Sequence, residues 1–196
     1  MSARVPGFFG GALAIARLTF AEARRRRILA AGLVLGLAFV ALFSVGMHFI
    51  VRDVRAHVPV AQQKVALSFV MMAALYAANF LIVMTSVLAA IDTLAGEIGS
   101  GVIETLCTKP LSRASVTFGK WLGCWVLLAL YASLLCGGVL LVDRIIAGYI
   151  PPNAGRGFGL ILLEGTVLLT LALCGGTRLS TLANGVTVFG LSLIHI

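Results

Sequence analysis

Long uncharged apolar runs restrict this chain to a small number of folds. The stretch from Ile28 to Val51 contains no Asp, Glu, Lys or Arg. A helix over this stretch covers roughly 36 Å at about 1.5 Å per residue, which exceeds the ~30 Å hydrocarbon core of a bilayer. The apolar region of a cleavable signal peptide is only about 7 to 15 residues long. The run therefore predicts a membrane-spanning helix.

Further runs of this kind predict an all-α integral membrane protein with four complete transmembrane helices. Only 11% of the residues are charged, whereas a soluble domain carries about 25%. The last apolar run is shorter than the ~20 residues that a span requires, so we expect it to be the start of a fifth span. Its final residues, Leu191–Ile196, match the translation of a transposon adapter used in sequencing libraries, and we interpret them as non-native residues after a partial domain at 1–190. The expected spans are 28–51, 65–91, 121–142, 159–176 and the incomplete 182–196.

The basic residues flank the apolar runs, which is the pattern of membrane topology and not of a nucleic-acid-binding face. Most of the 15 Lys and Arg residues fall on the inner side if the N-terminus is inside. The preference for an N-terminus on the inner side depends on the cluster Arg24–Arg27, directly before the first run. We therefore expect a multi-pass protein of the cell inner (plasma) membrane with a cytoplasmic N-terminus and no nucleic-acid partner. The cysteines form no C-x-x-C pair, so no metal site is expected.

The residues before the first run predict an amphipathic N-terminal helix. Apolar residues recur at helical spacing, while Arg17 and Arg24 share another face. Such a helix is expected to contact membrane lipid by lying in the headgroup region, although a disordered basic leader is the alternative. The expected apolar face consists of Leu13, Ala16, Phe20 and Ala23.

Three features within the apolar runs bear on packing and transport. Gly32 and Gly36 form a G-x-x-x-G motif, which allows another helix to approach closely. Trp121 and Trp125 near the start of the third run are expected to be interfacial anchors. The second run carries a stripe on roughly one helical face, which indicates either a translocation path or interhelical hydrogen bonding. The stripe consists of Ser68, Met72, Asn79 and Ser86.

A long polar interruption separates the second and third runs, from Glu97 to Lys120. Lys109-Pro110 breaks a helix, because the residue before proline avoids the helical region, and Ser112 is placed to cap a new helix. We expect a helix, a sharp turn and a second helix at the membrane surface; the alternative is an ordinary polar connector. Three residues before the break share one helical face: Glu97, Gly101 and Glu104.

Together with the basic N-terminal helix and the long first run, this segment resembles the permease subunits of type 2 ABC transporters. The branch that it resembles is linked to multi-copper enzyme maturation and carries E-x-x-x-G-x-I/V-x-x-L-x-x-K-P-x-S-R-x-x-x-x-x-G-K between its second and third spans. The resemblance extends to about Gly190, and the family normally has six spans. The chain matches this pattern at Glu97, Gly101, Ile103, Leu106, Lys109, Pro110, Ser112, Arg113, Gly119 and Lys120.

The resemblance implies the permease subunit of an exporter that couples ATP hydrolysis by a cytoplasmic ABC ATPase subunit to substrate movement. It also implies a second permease copy, as a homodimer or a related pair. The chain has no G-x-x-x-x-G-K-[ST] loop, so we expect ATP and Mg on the partner and neither enzyme activity nor a bound cofactor here. The alternative is a non-transporting scaffold that docks a soluble partner through residues 97–120. The implied ATPase-contact residues are Glu97, Gly101, Glu104, Lys109, Pro110 and Arg113.

Overall fold

The computed structural model describes residues 8–25, 27–99, 113–149 and 151–195. Within these ranges the chain is helical and contains no strand, which confirms the all-α prediction. A π-helical segment, Asp143–Ala147, continues the fourth helix. The α-helices are α1 Phe8–Arg25, α2 Arg27–His57, α3 Val60–Gly99, α4 Arg113–Val142, α5 Ala154–Gly175 and α6 Thr181–His195.

Four of the described helices have the length and apolar composition needed to cross a membrane, as predicted. Three of these candidate spans begin earlier than the sequence indicates, whereas the first begins at Ala30 instead of Ile28. Residues 52–64, a polar stretch between the first two runs, are helical except at Val58 and Pro59. Because proline lacks an N–H and keeps the preceding residue out of the helical region, this pair is sufficient to separate α2 from α3. The spans are Ala30–His57, Val60–Leu88, Ala114–Ala147 and Ala154–Gly175.

The π-helical segment that follows α4 ends at a left-handed glycine. The π-helical segment finishes at Gly148, whose φ is 72° and whose N–H donates to the carbonyl oxygen of Asp143 at 3.0 Å. Glycine adopts this backbone conformation without the steric penalty that a Cβ would bring. Gly155 and Gly157, which are poor helix formers, nevertheless lie in the first turn of α5.

The described residues fall into two compact units. Those of the first unit lie within Met1–Ala30, Val83–Leu128 and Glu164–Ile196, and those of the second lie within Ala31–Ile82 and Ala129–Leu163. Several helices therefore contribute one part of their length to each unit, and each unit has its own packed interior.

The second unit is held together by two apolar clusters and one close helix contact. The clusters join α2, α3 and the end of α4 around Met47 and Val139. At the close contact, the Tyr131 hydroxyl donates to the carbonyl oxygen of Gly32 at 3.0 Å. A Cβ built at Gly36 would lie 3.0 Å from the Tyr131 ring. The prediction that the Gly32–Gly36 motif admits a neighbouring helix is thus confirmed, and the neighbour is α4.

Candidate functional site

Described helices flank the predicted ATPase-contact segment on both sides, α3 before it and α4 after it. Glu97 lies in the last turn of α3, and Arg113 is the first residue of α4. Ser112, the predicted cap, lies outside the described residues. The remaining contact residues, Gly101, Glu104, Lys109 and Pro110, lie outside the described residues. The helix–turn–helix of the segment stays a prediction, and the candidate site is built from the helices that it joins.

The start of α4 contacts α1 through two glycines one helical turn apart. A Cβ at Gly119 would lie 2.6 Å from the carbonyl oxygen of Ala12 and 2.8 Å from the Ile15 Cβ. A Cβ at Gly123 would lie 2.8 Å from the Thr19 Cβ. Cβ atoms do not approach other atoms this closely, so the contact requires glycine at both positions. The spacing of Gly119 and Gly123 is the signal from which sequence reasoning could have predicted it.

Helix α1 is present, as predicted, and the face that it buries against protein differs from the apolar face expected to contact lipid. Of that expected lipid-facing set, Leu13 is 51% exposed, whereas Ala16 is buried. The reason is the glycine contact, because two backbones that approach this closely leave room only for small or β-branched side chains between them. The larger residues Leu13 and Leu18 consequently point outward. The buried face consists of Ala12, Ile15, Ala16 and Thr19.

A second contact joins α4 to α5 by two parallel side-chain hydrogen bonds, which we call the tryptophan ladder. The Trp121 indole Nε1 donates to the Thr170 hydroxyl at 3.0 Å. The Trp125 Nε1 donates to the Thr166 hydroxyl, also at 3.0 Å. Each pair is spaced by four residues on its helix, so both bonds form on one face of each helix. The two tryptophans, predicted as interfacial anchors, therefore direct their N–H groups to another helix.

Aromatic stacking and a further glycine extend the ladder along α4. The rings of Trp121 and Trp125 are stacked with their centroids 6.5 Å apart, and Phe118 stacks on Trp121 at 5.7 Å. Further along, a Cβ at Gly165 would lie 2.9 Å from Leu128, so α5 stays close to α4 beyond the hydrogen bonds. The start of α4 thus has α1 on one side and α5 on another, and both contacts lie in the first unit.

Lys120, the last residue of the family pattern, belongs to this packed region. Its side chain is only 3% exposed, and Ser115 on the same helix is buried as well. A lysine is almost never buried in a protein interior unless it has a partner. The side chain of Lys120 is therefore part of the interior of the first unit and is not presented on a solvent-facing surface.

Asn184 is a structural residue that sequence reasoning missed, because its polarity indicated a turn. It lies within α6, and its Nδ2 donates to the carbonyl oxygen of Ala172 at 2.7 Å. Gly175 faces the same side chain, and a Cβ there would collide with the Asn184 oxygen. The pair fixes α6 against the end of α5. The neighbouring glycines Gly175 and Gly176 were the available signal for this close approach.

The residues of the predicted translocation stripe differ in their exposure and hydrogen bonding. The Ser68 hydroxyl donates to the carbonyl oxygen of Lys64 at 2.7 Å, so it is satisfied within its own helix. Met72 is exposed, Asn79 is half-buried and Ser86 is buried. A role for these residues in transport stays a prediction. Within the described ranges, His, Cys, Asp and Glu side chains do not gather in groups of three or more that could hold a metal ion.

Comparison with known proteins gives the family context of this arrangement. The chain matches the family described as "ABC-2 family transporter protein" over residues 13–193, from α1 into α6. It is also similar to the "Probable ABC transporter permease protein NosY" of Pseudomonas aeruginosa, with 34% identity over 108 residues. That stretch covers 53% of this chain and 39% of the relative, so the chain matches less than half of the relative's length.

Proposed function

Since this chain belongs to the ABC-2 family of transporter proteins, we propose that it is the permease subunit of an ABC exporter whose partner ATPase drives substrate movement. The observation that carries the proposal is the packing around the start of α4. The predicted ATPase-contact segment leads directly into α4 at Arg113, and the first turns of α4 are held by α1 and by α5. A movement of the segment therefore acts on three helices at once.

The two contacts differ in how they transmit such a movement. At Gly119 and Gly123 the backbone of α4 lies in close contact with α1, so a displacement of α4 toward α1 pushes α1 as well. The tryptophan ladder fixes the register between α4 and α5, because sliding one helix along the other would break both 3.0 Å hydrogen bonds. Packed helices have discrete arrangements and are not continuously deformable, so a displacement at Arg113 is expected to move the group as one body.

In this proposal the complex contains two permease copies and two cytoplasmic ATPase subunits, which hold ATP and Mg. The N-terminus lies in the cytoplasm, and the spans cross the inner membrane. The face formed by Glu97, Gly101 and Glu104 contacts the ATPase. Pro110 sets the turn of the segment, Arg113 secures its return into α4, and Lys109 lies at the break. Support comes from the family match and from the helices that begin and end at this segment.

Charge reversal within the contact segment tests the proposal. The variant with Glu104→Lys and Arg113→Glu is co-expressed with its ATPase, purified and reconstituted in proteoliposomes. We expect loss of ATPase co-purification and a decrease of at least about tenfold in permease-stimulated ATP hydrolysis, because a reversed interface charge costs about 1.4 kcal/mol or more. The matched control is Arg52→Glu, which reverses an exposed charge on α2 away from the segment.

The outcomes separate transport from a purely structural role. If the double variant retains both co-purification and stimulated hydrolysis, the segment does not couple to an ATPase. If the wild-type chain binds a soluble partner through residues 97–120 without stimulating hydrolysis or substrate movement, the non-transporting scaffold is the better description. Loss of function in the Arg52→Glu control as well would indicate general damage and not a specific interface.

A further inference from the structure

Asp143, at the end of α4, is a buried acidic residue that the proposed transport mechanism does not use. It is 1% exposed, and neither carboxylate oxygen has a hydrogen-bond partner among the described residues. It also lies within a candidate membrane span, where an ionisable residue indicates a functional site. An ionised carboxylate in this position would lack both water and a hydrogen-bond donor. Burial of this kind favours the neutral form of a carboxyl group, which carries a proton.

The surroundings of Asp143 are apolar and come from two helices besides α4. One turn before it, Val139 belongs to an apolar cluster with Met71 of α3. One turn after it, Ile146 packs against a second cluster, which includes Met47 of α2. Because residues three and four apart lie on one face of a helix, Asp143 lies on the face of α4 that is directed at α2 and α3. The carboxyl group is therefore buried by protein, between two apolar clusters.

The backbone at Asp143 departs from a regular α-helix. The π-helical segment begins at this residue, and the Gly148 N–H donates to its carbonyl oxygen at 3.0 Å. Turns of this kind are rare and are frequently found at functional sites. The next two residues, Arg144 and Ile145, are exposed, so the segment has one face at the surface. Rotation of this terminal turn would therefore bring the carboxyl group to water without unfolding the rest of α4.

The other titratable groups around this end of the second unit do not satisfy the carboxylate of Asp143. Arg144 of α4 and Arg156 of α5 are exposed, and the thiol of Cys136 is buried two turns earlier on α4. Tyr149 is half-buried and packs against the first of the two clusters. Exposed basic groups stabilise an ionised carboxylate only once it has reached the surface. The remaining charged or titratable residues, on α2 and α3, are also exposed: His48, Arg52, Asp53, Arg55, His57 and Lys64.

We propose that Asp143 is a proton-binding site whose proton controls how the end of α4 packs. With the proton bound, the carboxyl group is neutral and the π-helical turn stays packed against α2 and α3. When the proton is released to water, the carboxylate moves to the surface and the turn leaves its place. A proton fits better than a metal ion, because the described His, Cys, Asp and Glu side chains form no group of three that could hold one. The site is independent of the ATPase coupling proposed above.

Infrared difference spectroscopy on the full chain in proteoliposomes detects this proton directly. Exposed carboxyl groups titrate near pH 4, so at about pH 5.5 they are mostly ionised, whereas Asp143 should still give the C=O stretching band of a protonated carboxyl group. Asp143→Asn should lose this band. The matched control is Asp53→Asn on α2, which removes an exposed carboxylate and should retain the band. Absence of the band in the wild type, or its persistence in Asp143→Asn, would overturn the proposal.

The stability of the protein should depend on pH through the same proton. The carboxyl group of the unfolded chain releases its proton near pH 4, whereas the folded protein keeps it to higher pH. Unfolding then releases a proton, so a rise in pH favours unfolding. We expect the thermal midpoint of the wild type to fall between about pH 5 and about pH 8, as the unfolding constant rises by at most about tenfold per pH unit.

The two variants show whether this pH dependence belongs to Asp143. Asp143→Asn should lose most of the dependence, because its side chain stays neutral, and Asp53→Asn should keep it. An equal dependence in the wild type and in Asp143→Asn would contradict the proposal. Recovery of the wild-type midpoint on addition of Na⁺ or Mg²⁺ at the upper end of this pH range would also overturn it, since a metal cation would then fill the site.

Hydrogen–deuterium exchange of the wild type needs no substitution and reports on the turn itself. The amide of Gly148 is protected by its hydrogen bond to Asp143. Its protection, corrected for the intrinsic effect of pH on exchange, should fall as the pH rises over the same range. The control is the amide of Leu179, which donates to the carbonyl oxygen of Gly175 at 2.8 Å and should keep its protection. Constant protection at Gly148, or a parallel loss at both amides, would show that the proton does not control the turn.

Discussion

Among single residues, Asp143 has the most unusual environment in the described structure. It is 1% exposed, and neither carboxylate oxygen has a hydrogen-bond partner among the described residues. A carboxylate buried without a partner destabilises a fold by several kcal/mol. Its backbone carbonyl, in contrast, accepts the N–H of Gly148 and holds the end of the π-helical segment. The side chain and the backbone of Asp143 therefore have opposite effects on stability.

We predict that Asp143→Asn stabilises the protein, because it removes the charge and keeps the size of the side chain. The free energy of unfolding should rise by about 1–3 kcal/mol, measured as the midpoint of thermal unfolding in detergent. The control is Asp53→Asn on α2, whose exposed carboxylate lies 3.0 Å from the His57 ring. Its effect should stay within about 0.5 kcal/mol. A clear loss of stability in Asp143→Asn would show that the carboxylate has a stabilising partner.

Some contacts of single residues could be predicted from the sequence, and others could not. Gly32 and Gly36 predicted a close approach because glycine permits one wherever it occurs on a helix. The residue that approaches, Tyr131, could not be predicted, since its position depends on tertiary packing. Asn184 was missed for a related reason. From sequence, a polar residue such as Asn184 indicates a turn. In the fold its amide instead donates to the carbonyl oxygen of Ala172, and the distance between these two groups depends on tertiary packing.

At the scale of elements, the tryptophan ladder makes a quantitative prediction for the α4–α5 pair. A double-mutant cycle of Trp125→Phe and Thr166→Val should give a coupling energy of about 0.6 kcal/mol and no more than ~1.7 kcal/mol, the range found for hydrogen bonds between membrane helices. The measurement is chemical unfolding in detergent. Pairing Trp125→Phe with Thr187→Val provides the control, because the Thr187 hydroxyl donates within α6. That cycle should show coupling near zero; equal coupling in both cycles would contradict a specific ladder.

The α1–α4 contact predicts opposite effects for two glycines of the same helix. Gly119→Ala places a Cβ against the carbonyl oxygen of Ala12, which cannot move aside independently of α1. We expect a loss of about 1–3 kcal/mol in unfolding free energy. Gly137→Ala meets nothing within 4 Å and should stabilise α4 by about 0.5–1 kcal/mol through helix propensity. Equal thermal midpoints for the two variants would show that α1 does not pack on Gly119.

The ends of the helices were less predictable than their centres. Uncharged runs identify the part of a helix that lies in hydrocarbon, but backbone hydrogen bonding continues past the last apolar residue until something interrupts it. In α2 the helix passes the charged Arg52, Asp53 and Arg55 and stops only before Pro59. Charged residues that end an apolar run therefore mark the membrane boundary and not the end of the helix.

At the scale of the whole molecule, the class of protein was predictable and the pairing of helices was not. Any run of ~20 apolar residues can cross a bilayer, so the composition alone indicates a multi-pass membrane protein. Residues that face lipid and residues that face protein are equally apolar, however. Leu35 and Leu37 on α2 are exposed, whereas Leu135 and Val139 on α4 are buried. Hydrophobicity could not distinguish these positions, and the family pattern predicted the contact segment without its geometry.

The glycine contact between α1 and α4 also has a consequence for the order of synthesis. Helix α1 is made first, and Gly119 follows Ala12 by about a hundred residues, or roughly 5 to 20 s at ribosomal speed. During that interval the small-residue face of α1 has no α4 to contact. An amphipathic helix can wait at the membrane surface, where lipid headgroups and water satisfy both of its faces. The nascent chain is thus expected to complete its N-terminal packing only after α4 has been inserted.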